Sequence, residues 1–203
     1  MSSLSGETRT ERRVAVVADG TAVDRYVDWL QVRWPVKGAE SGNDSLSLLE
    51  SEPAVLVVDR NASGLHPDRL LGIANERQLD SQVVMLTPVE PGPEPVRLGF
   101  DDHLVKPVTR DALVGAVERG FRRAEYEQRL SRFYELAARK AAMEAGRIDP
   151  TDEAAYRQLR EQVSAARSSV EDAFERLDDD DISKVCNGLS RRDGSIGGAA
   201  PDV

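Results

Sequence analysis

Four polar side chains of the sequence are candidates for shared chemistry, because each follows a short apolar run. Two are carboxylates, one is a hydroxyl and one is an ammonium group. A carboxylate can act as a nucleophile or bind a hard cation, whereas the hydroxyl and the ammonium group can donate hydrogen bonds to an anion. They could form one pocket if the fold brings them together. The four are Asp19, Asp59, Thr87 and Lys106.

Short apolar runs alternate with stretches of helical spacing and would position these four groups. The stronger runs lie at residues 14–17, 54–58 and 82–86, and their lack of polar alternation is typical of strands buried on both faces. Weaker runs at 36–39 and 103–105 bring the predicted strands to five. The predicted fold class is therefore α/β, with a five-stranded parallel, doubly wound sheet of the flavodoxin-like type. Ligands of such sheets bind outside the carboxyl ends of the strands, so we expect the four polar side chains to converge there.

The C-terminal part of the sequence has helical periodicity. Thr109 is a predicted N-cap, and apolar residues recur at helical spacing from Asp111 to about Ala145. After a break at residues 146–150, a second apolar stripe repeats every three or four residues over three heptads. The chain is therefore expected to continue as an all-α helical hairpin or coiled-coil segment. The stripe consists of Tyr156, Leu159, Val163, Ala166, Val170, Ala173 and Leu177.

Two partners could cover this stripe. It could fold back on the preceding helix as an antiparallel hairpin, or pair with the same stripe of a second chain. The hairpin is favoured because two seam positions, Ala166 and Ala173, are alanines that would make a lone two-stranded dimer weak. A homodimer through the first domain, the coiled coil or both stays open. A further short helix is predicted to begin at residues 178–181, where four acidic side chains favour a helix start.

Composition limits what the chain can do. The formal net charge is -9 and no basic recognition helix stands out, so direct DNA binding is disfavoured. No apolar run reaches the roughly 18 residues of a membrane-spanning helix, and the single cysteine, Cys186, allows no internal disulfide. We therefore expect a cytoplasmic protein without a membrane segment. The predicted organisation is a disordered tail at 1–12, an α/β domain at 13–122, a helical domain at 123–186 and a disordered tail at 187–203.

The order of the polar residues resembles that of the receiver domain of two-component response regulators. Asp19, Asp59 and Thr87 follow the first, third and fourth predicted strands, and Lys106-Pro107 follows the fifth. This resemblance covers roughly residues 13–122. The helical remainder, which follows a segment reading Gly-Phe-Asp-Asp-His-Leu-Val-Lys-Pro, is similar to the HalX-type domain of haloarchaeal response regulators.

The resemblance implies a role for each residue of the predicted pocket. Asp59 would be an exposed, ionised phosphoacceptor for a sensor histidine kinase. Asp19, Asp59 and the backbone carbonyl of Asn61 would hold Mg²⁺, and Thr87 and Lys106 would contact the phosphoryl oxygens. The chain would then be a response regulator that signals through its C-terminal helices, and not an enzyme that acts on an outside substrate.

Two further positions are implied to act in switching. His103 stands where the family usually carries an aromatic switch residue and would turn inward when Thr87 moves toward the phosphoryl group. The alternative is that His103 has no switching role and is simply a half-exposed histidine at the start of a strand. The Lys106-Pro107 bond resembles the family's cis peptide, which would aim the lysine into the pocket.

Besides His103 and the loop at residues 61–64, which is not of the common Met-Pro-Gly type, two residues depart from the receiver pattern. Ala18 stands where receivers usually carry an additional acid, so Mg²⁺ binding should be weaker. Pro88 follows Thr87 in place of the usual small residue and has no N–H group to offer the phosphoryl group. These departures leave an alternative open, a degenerate pseudo-receiver that acts as a phosphate-independent protein-interaction scaffold.

Overall fold

Two structural units make up the chain, Met1–Phe121 and Arg122–Val203. Within the part of the chain that the structure describes, no helix is both long enough and apolar enough to cross a bilayer. The tail predicted at residues 1–12 lies outside the described residues except for Arg12. This computed structural model describes residues 12–40, 42–62, 67–77, 79–88, 100–146 and 153–194.

The first unit is built on one five-stranded parallel sheet. Its strands are β1 (Val14–Val17), β2 (Val36–Ala39), β3 (Val55–Asp59), β4 (Gln82–Thr87) and β5 (Asp102–Val105). They lie in the order β2-β1-β3-β4-β5, and every neighbouring pair is parallel. All residues of β1, β3 and β4 are buried, as their uninterrupted apolar character predicts for central strands covered on both faces. The predicted fold class is confirmed.

Helices cover both faces of this sheet. They are α1 (Thr21–Leu30), α2 (Gly42–Leu49), α3 (Pro67–Glu76) and the first part of α4 (Arg110–Glu144). Successive side chains of a strand point to opposite faces. Val16 of β1 accordingly belongs to the same core cluster as Val117 of α4, whereas Val17 belongs to the cluster that contains Leu70 of α3.

Gly120 lets helix α4 approach the sheet closely. A Cβ atom at this position would lie 3.0 Å from Cγ2 of Val55 in β3. Glycine destabilises a helix interior by about 1 kcal/mol relative to alanine. The close packing of α4 on the sheet offsets this loss of helix stability. The placement of α4 bears on the site because this helix begins shortly after Lys106.

Helix α4 has defined signals at both ends. Thr109 Oγ1 accepts a hydrogen bond from the N–H of Ala112 over 3.3 Å, which confirms its predicted role as N-cap. At the other end, Gly146 has a φ of 69° and donates its N–H to the carbonyl of Met143 over 3.0 Å. A glycine in this left-handed conformation commonly ends a helix. The rest of the predicted break, residues 147–150, lies outside the described residues.

The second unit contains an antiparallel helical hairpin. It is formed by the C-terminal part of α4 and by α5 (Glu153–Phe174). At one end, the ring centroids of Tyr126 and Phe174 lie 5.9 Å apart. At the other end, the hydroxyl of Tyr156 donates to Glu144 Oε1 over 2.6 Å. Residue numbers therefore rise along one helix as they fall along the other, and the hairpin favoured from the sequence is confirmed.

Glu144 joins the two helices on the surface of the hairpin. Lys140 Nζ donates to Glu144 Oε1 over 2.8 Å. This hydrogen bond, together with that from Tyr156, lowers the pKa of Glu144, and the bond to Glu144 raises the pKa of Tyr156. These contacts are exposed, so they fix geometry more than they add stability.

The predicted seam of α5 is packed along one line of the helix. Leu159, Ala166 and Ala173 are 4%, 9% and 3% exposed, whereas the alternate positions of the stripe are half-buried. The helix ends at Phe174, earlier than the stripe suggested. Leu177 is nevertheless buried, in the turn where its N–H donates to the carbonyl of Phe174 over 3.0 Å.

Helix α6 (Asp179–Gly194) begins where the sequence predicts it and extends further. Asp178 Oδ1 accepts the N–H of Asp181 over 2.8 Å and caps the first turn. The predicted disordered tail is wrong for residues 187–194, which are helical. Once a capped turn has formed, a helix propagates through a single interior glycine at a cost of about 1 kcal/mol. Residues 195–203 lie outside the described residues.

Replacing Leu159 by alanine should destabilise the hairpin while the first unit stays folded. Leu159 is 4% exposed, and truncating a buried leucine costs about 2–3 kcal/mol. During urea unfolding, the far-UV circular dichroism transition should shift. The fluorescence of Trp29 and Trp34, the 2 tryptophans of the sequence, reports on the first unit and should not shift. The exposed neighbour provides a control, Gln158→Ala, which should behave like the wild type; an unchanged Leu159→Ala would show that the seam is not packed.

Candidate functional site

The carboxyl ends of four strands meet at one edge of the sheet. Strands β1 and β3 are neighbours. Asp59 is the last residue of β3, and Asp19 lies two residues beyond the end of β1. The register of β4 with β5 places Thr87 beside the residue that precedes Lys106. The four polar side chains singled out from the sequence therefore all belong to this edge.

Asp59 ends strand β3 and is almost completely buried. Only 3% of the residue is exposed. Its Oδ1 accepts the N–H of Asn61 over 3.0 Å, and its Oδ2 forms an ion pair with Nζ of Lys106. The expectation of an exposed carboxylate is therefore wrong, because the groups that compensate a buried charge also close over it.

Lys106 reaches Asp59 from the end of β5. Its backbone N–H donates to the carbonyl of Thr87 over 2.8 Å, which ties the end of β5 to the end of β4. The Lys106-Pro107 peptide bond is cis, as the resemblance implied. The lysine side chain is 27% exposed, whereas that of Asp59 is 4% exposed.

Thr87 and His103 lie on the same face of the sheet. His103 is paired with Met85 of β4, and paired residues of neighbouring strands project to one face. Thr87 comes two residues after Met85 and therefore shares that face. Thr87 is fully buried and His103 is half-buried, a placement that suits the switch pair implied by the resemblance.

Asp19, Asp59 and Asn61 are the predicted ligands of Mg²⁺. Asp19 is half-buried, and its backbone carbonyl accepts the N–H of Ala22 at the start of α1 over 3.0 Å. Two carboxylates and a turn carbonyl at one sheet edge are the hard oxygen donors that Mg²⁺ prefers, so the residues fit the ion in type. Among the described residues, no group of three or more His, Cys, Asp or Glu side chains is placed to hold a metal. Water and substrate oxygens would have to complete the coordination.

Ala18 and Pro88, which depart from the receiver pattern, have different surroundings. Ala18 is fully buried in the apolar layer on the α4 side of the sheet, and its N–H donates to the carbonyl of Ala39 over 3.2 Å. An acid at this position would therefore have to enter a packed core. Pro88 is exposed directly after Thr87 and has no N–H group there.

The sequence interpretation missed a buried ion pair at the amino end of β5, the strand that leads to Lys106. Asp102, the first residue of β5, is 6% exposed, and its Oδ2 accepts from Nε and Nη2 of Arg119 over 3.2 and 3.1 Å. Its Oδ1 accepts the N–H of His103 over 2.9 Å. The pair fixes β5, which carries His103 and leads to Lys106, against helix α4. An aspartate directly before a predicted strand was the available signal, since a carboxylate is seldom buried without a partner.

Part of the chain matches a domain family, and most of the chain aligns with a related protein. Residues 122–186 match the HalX domain. A protein of Haloferax volcanii described as a "Putative transcriptional regulator" is 31% identical over 174 residues, which make up 84% of this chain and 30% of that protein. The chain therefore spans less than a third of the length of this relative.

Solved receiver domains share the fold of the first unit. A signal receiver domain from Vibrio parahaemolyticus has a TM-score of 0.54 at 22% identity and covers 58% of this chain and 95% of its own. A CheY-like response regulator receiver domain protein from Methanospirillum hungatei has a TM-score of 0.52 at 22% identity and covers 58% of this chain and 98% of its own. The chain combines a receiver fold with a HalX domain. This HalX domain is preceded by the five-stranded unit that carries the candidate site.

Replacing Lys106 by methionine should leave a buried carboxylate without its cation. Because the lysine is partly solvated, we expect a loss of about 2–3 kcal/mol in the free energy of unfolding, measured by tryptophan fluorescence in urea. The double variant Lys106→Met/Asp59→Asn removes both charges and should recover most of the loss. Arg33→Met, which breaks the exposed ion pair with Glu118, is the control and should cost less than about 0.5 kcal/mol. Equal losses of stability in Lys106→Met and Arg33→Met would contradict the dependence of the buried Asp59 charge on Lys106.

Proposed function

We propose that the chain is a two-component response regulator in which Asp59 accepts a phosphoryl group from a sensor histidine kinase. The observation that supports this most directly is the pairing of Asp59 with Lys106 at the carboxyl edge of a receiver-fold sheet. The carboxylate is a nucleophile, and the ammonium group and the hydroxyl of Thr87 are donors for phosphoryl oxygens. The chain would accept the group itself and not turn over an outside substrate.

In the transfer, an oxygen of the Asp59 carboxylate attacks the phosphorus of a phosphohistidine. A bond forms between this oxygen and phosphorus, while the bond from phosphorus to the imidazole nitrogen breaks. The nitrogen leaves with the electron pair of that bond, and the product is an acyl phosphate on Asp59. Lys106, which neutralises the carboxylate in this structure, would move to an oxygen of the transferred group as a compact positive charge.

Asp19, Asp59 and the carbonyl of Asn61 would hold Mg²⁺ at this edge. When bound, the ion offsets the charges of the acceptor and of the incoming phosphoryl group. Thr87 would donate its hydroxyl to a phosphoryl oxygen. Because Thr87 shares a sheet face with His103, a shift of the threonine would change the space available to the histidine ring, and β5 would carry this change away from the site.

The HalX domain would carry the output. The Haloferax relative is described as a transcriptional regulator, but a chain with a net charge of -9 is poorly suited to neutralise DNA phosphates. A protein partner that recognises the HalX helices fits this charge better. We therefore favour an output through protein contacts over direct contact with DNA.

A phosphate-independent scaffold is the second candidate, and three observations favour it. Asp59 is 3% exposed and engaged at both oxygens. Ala18 occupies a packed core position in place of an acid, and Pro88 has no N–H group for a phosphoryl oxygen. In this case the ion pair with Lys106 would be permanent, and the receiver unit would serve only to present the HalX domain.

Incubation with Mg²⁺ and acetyl phosphate separates the two candidates. We expect the wild type to gain one phosphoryl group by intact mass and Asp59→Asn to gain none, because the amide is not a nucleophile of comparable strength. Asp24→Asn, which changes an exposed acid of α1, is the control and should be modified like the wild type. Modification of Asp59→Asn would place the acceptor elsewhere. A wild type that stays unmodified, and also shows no spectroscopic response to beryllofluoride, would support the scaffold.

Replacing Pro88 by alanine should raise the phosphorylated fraction at a limiting donor concentration. Alanine restores a backbone N–H next to Thr87, and a hydrogen bond to a charged group is worth about 1.5 kcal/mol, or about tenfold in an equilibrium constant. Pro88 is exposed, so the change does not disturb the core. Pro35→Ala, at another exposed proline, is the matched control. Equal labelling of the two variants would show that the missing N–H group does not limit the site.

A further inference from the structure

Two arginines and two aspartates join helix α6 to helix α4 inside the second unit. Arg122 donates from Nε and Nη2 to Asp181 Oδ2 over 3.1 and 2.8 Å, and from Nη2 to Asp178 Oδ2 over 3.1 Å. Arg123 donates from Nη1 to Asp181 Oδ1 over 2.8 Å. Asp178 also accepts the N–H of Asp181 as the cap of α6. We call these four residues the α6 clasp.

The α6 clasp is buried at its centre and open to solvent at its rim. The side chains of Arg123 and Asp181 are 1% and 0% exposed, whereas those of Arg122 and Asp178 are 32% and 53% exposed. A buried ion pair adds little net stability over apolar groups of the same size, yet removing one partner is strongly destabilising because the other charge stays uncompensated. The clasp therefore specifies one position of α6 without contributing much to its net stability.

The described contacts of α6 differ in kind from those of the hairpin seam. Where the side chains of α6 are described, Val185 is buried and Ile182 is half-buried. The hairpin buries Leu159, Ala166 and Ala173 along its seam. Because the buried seam positions of α5 are apolar and the described contacts of α6 include the buried charges of the α6 clasp, loss of one of these charges should weaken the docking of α6 more than the pairing of α4 with α5.

We propose that α6 is a detachable strap, held on the hairpin by the α6 clasp and able to open while the hairpin stays folded. Release of the strap would bring Val185 of α6 and the paired charges of Arg123 and Asp181, all buried in this structure, into contact with water. The device belongs to the HalX domain alone and does not require phosphorylation of the first unit.

Amide hydrogen exchange of the full chain tests the strap. In the wild type, the amides of α6 should exchange about tenfold faster than those of residues 159–173, through an opening that leaves α5 protected. Asp181→Asn keeps the shape of the side chain and removes its charge, so it should speed α6 exchange by about a further tenfold and leave α5 unchanged. Asp180→Asn is the control, because that carboxylate pairs with Lys184 on the surface and is 62% exposed.

Each other outcome would overturn the proposal. Equal protection of α5 and α6 in the wild type would show that the helices open as one unit, and this comparison needs no variant. Faster exchange of both helices in Asp181→Asn would lead to the same conclusion. Normal exchange of α6 in Asp181→Asn, or equal acceleration by Asp180→Asn, would show that the α6 clasp does not hold the strap.

Discussion

A parallel sheet of short strands has to be covered on both faces, and much of the first unit follows from this constraint. The central strands must be apolar throughout, and each connection must cross over the sheet to start the next strand at the same end. The crossovers bring the carboxyl ends of β1, β3, β4 and β5 to one edge, where polar residues excluded from the core collect. The sheet topology alone therefore brings the residues of the candidate site to one edge, whatever contacts their side chains make there.

The same constraint explains the burial of the site's central carboxylate. β3 is buried along its whole length, so an aspartate at its last position leaves water and needs an opposite charge. This rule applies to all the buried aspartates of the described residues, each of which has a basic partner. Pairing of buried charges thus specifies both the site of the first unit and the helix contacts of the second. The pairs are Asp59 with Lys106, Asp102 with Arg119 and Asp181 with Arg123.

Structural elements that depend on local patterns could be predicted from the sequence, whereas the burial and the partners of individual side chains could not. The strands, the cap at Thr109 and the hairpin seam depend on spacing within a few residues, and the structure has them. The burial of Asp59 depends on a lysine 47 residues away, and that of Asp102 on an arginine 17 residues away. Neither contact leaves a periodic signal. The extension of α6 was missed because a Gly-, Ser- and Arg-rich composition resembles a linker, although a capped turn precedes it.

The alanines of the α5 seam affect the order in which the two units should unfold. Ala166 and Ala173 let the helices approach closely but bury little area, whereas the sheet buries valines and leucines on both faces. On heating, the HalX helices should melt first and leave an intermediate with an intact sheet. A protease that cuts this intermediate would release a receiver fragment. If the site acts as proposed, such a fragment would still compete for the kinase while transmitting nothing, so clipping would produce a dominant inhibitor and not simply a loss of protein.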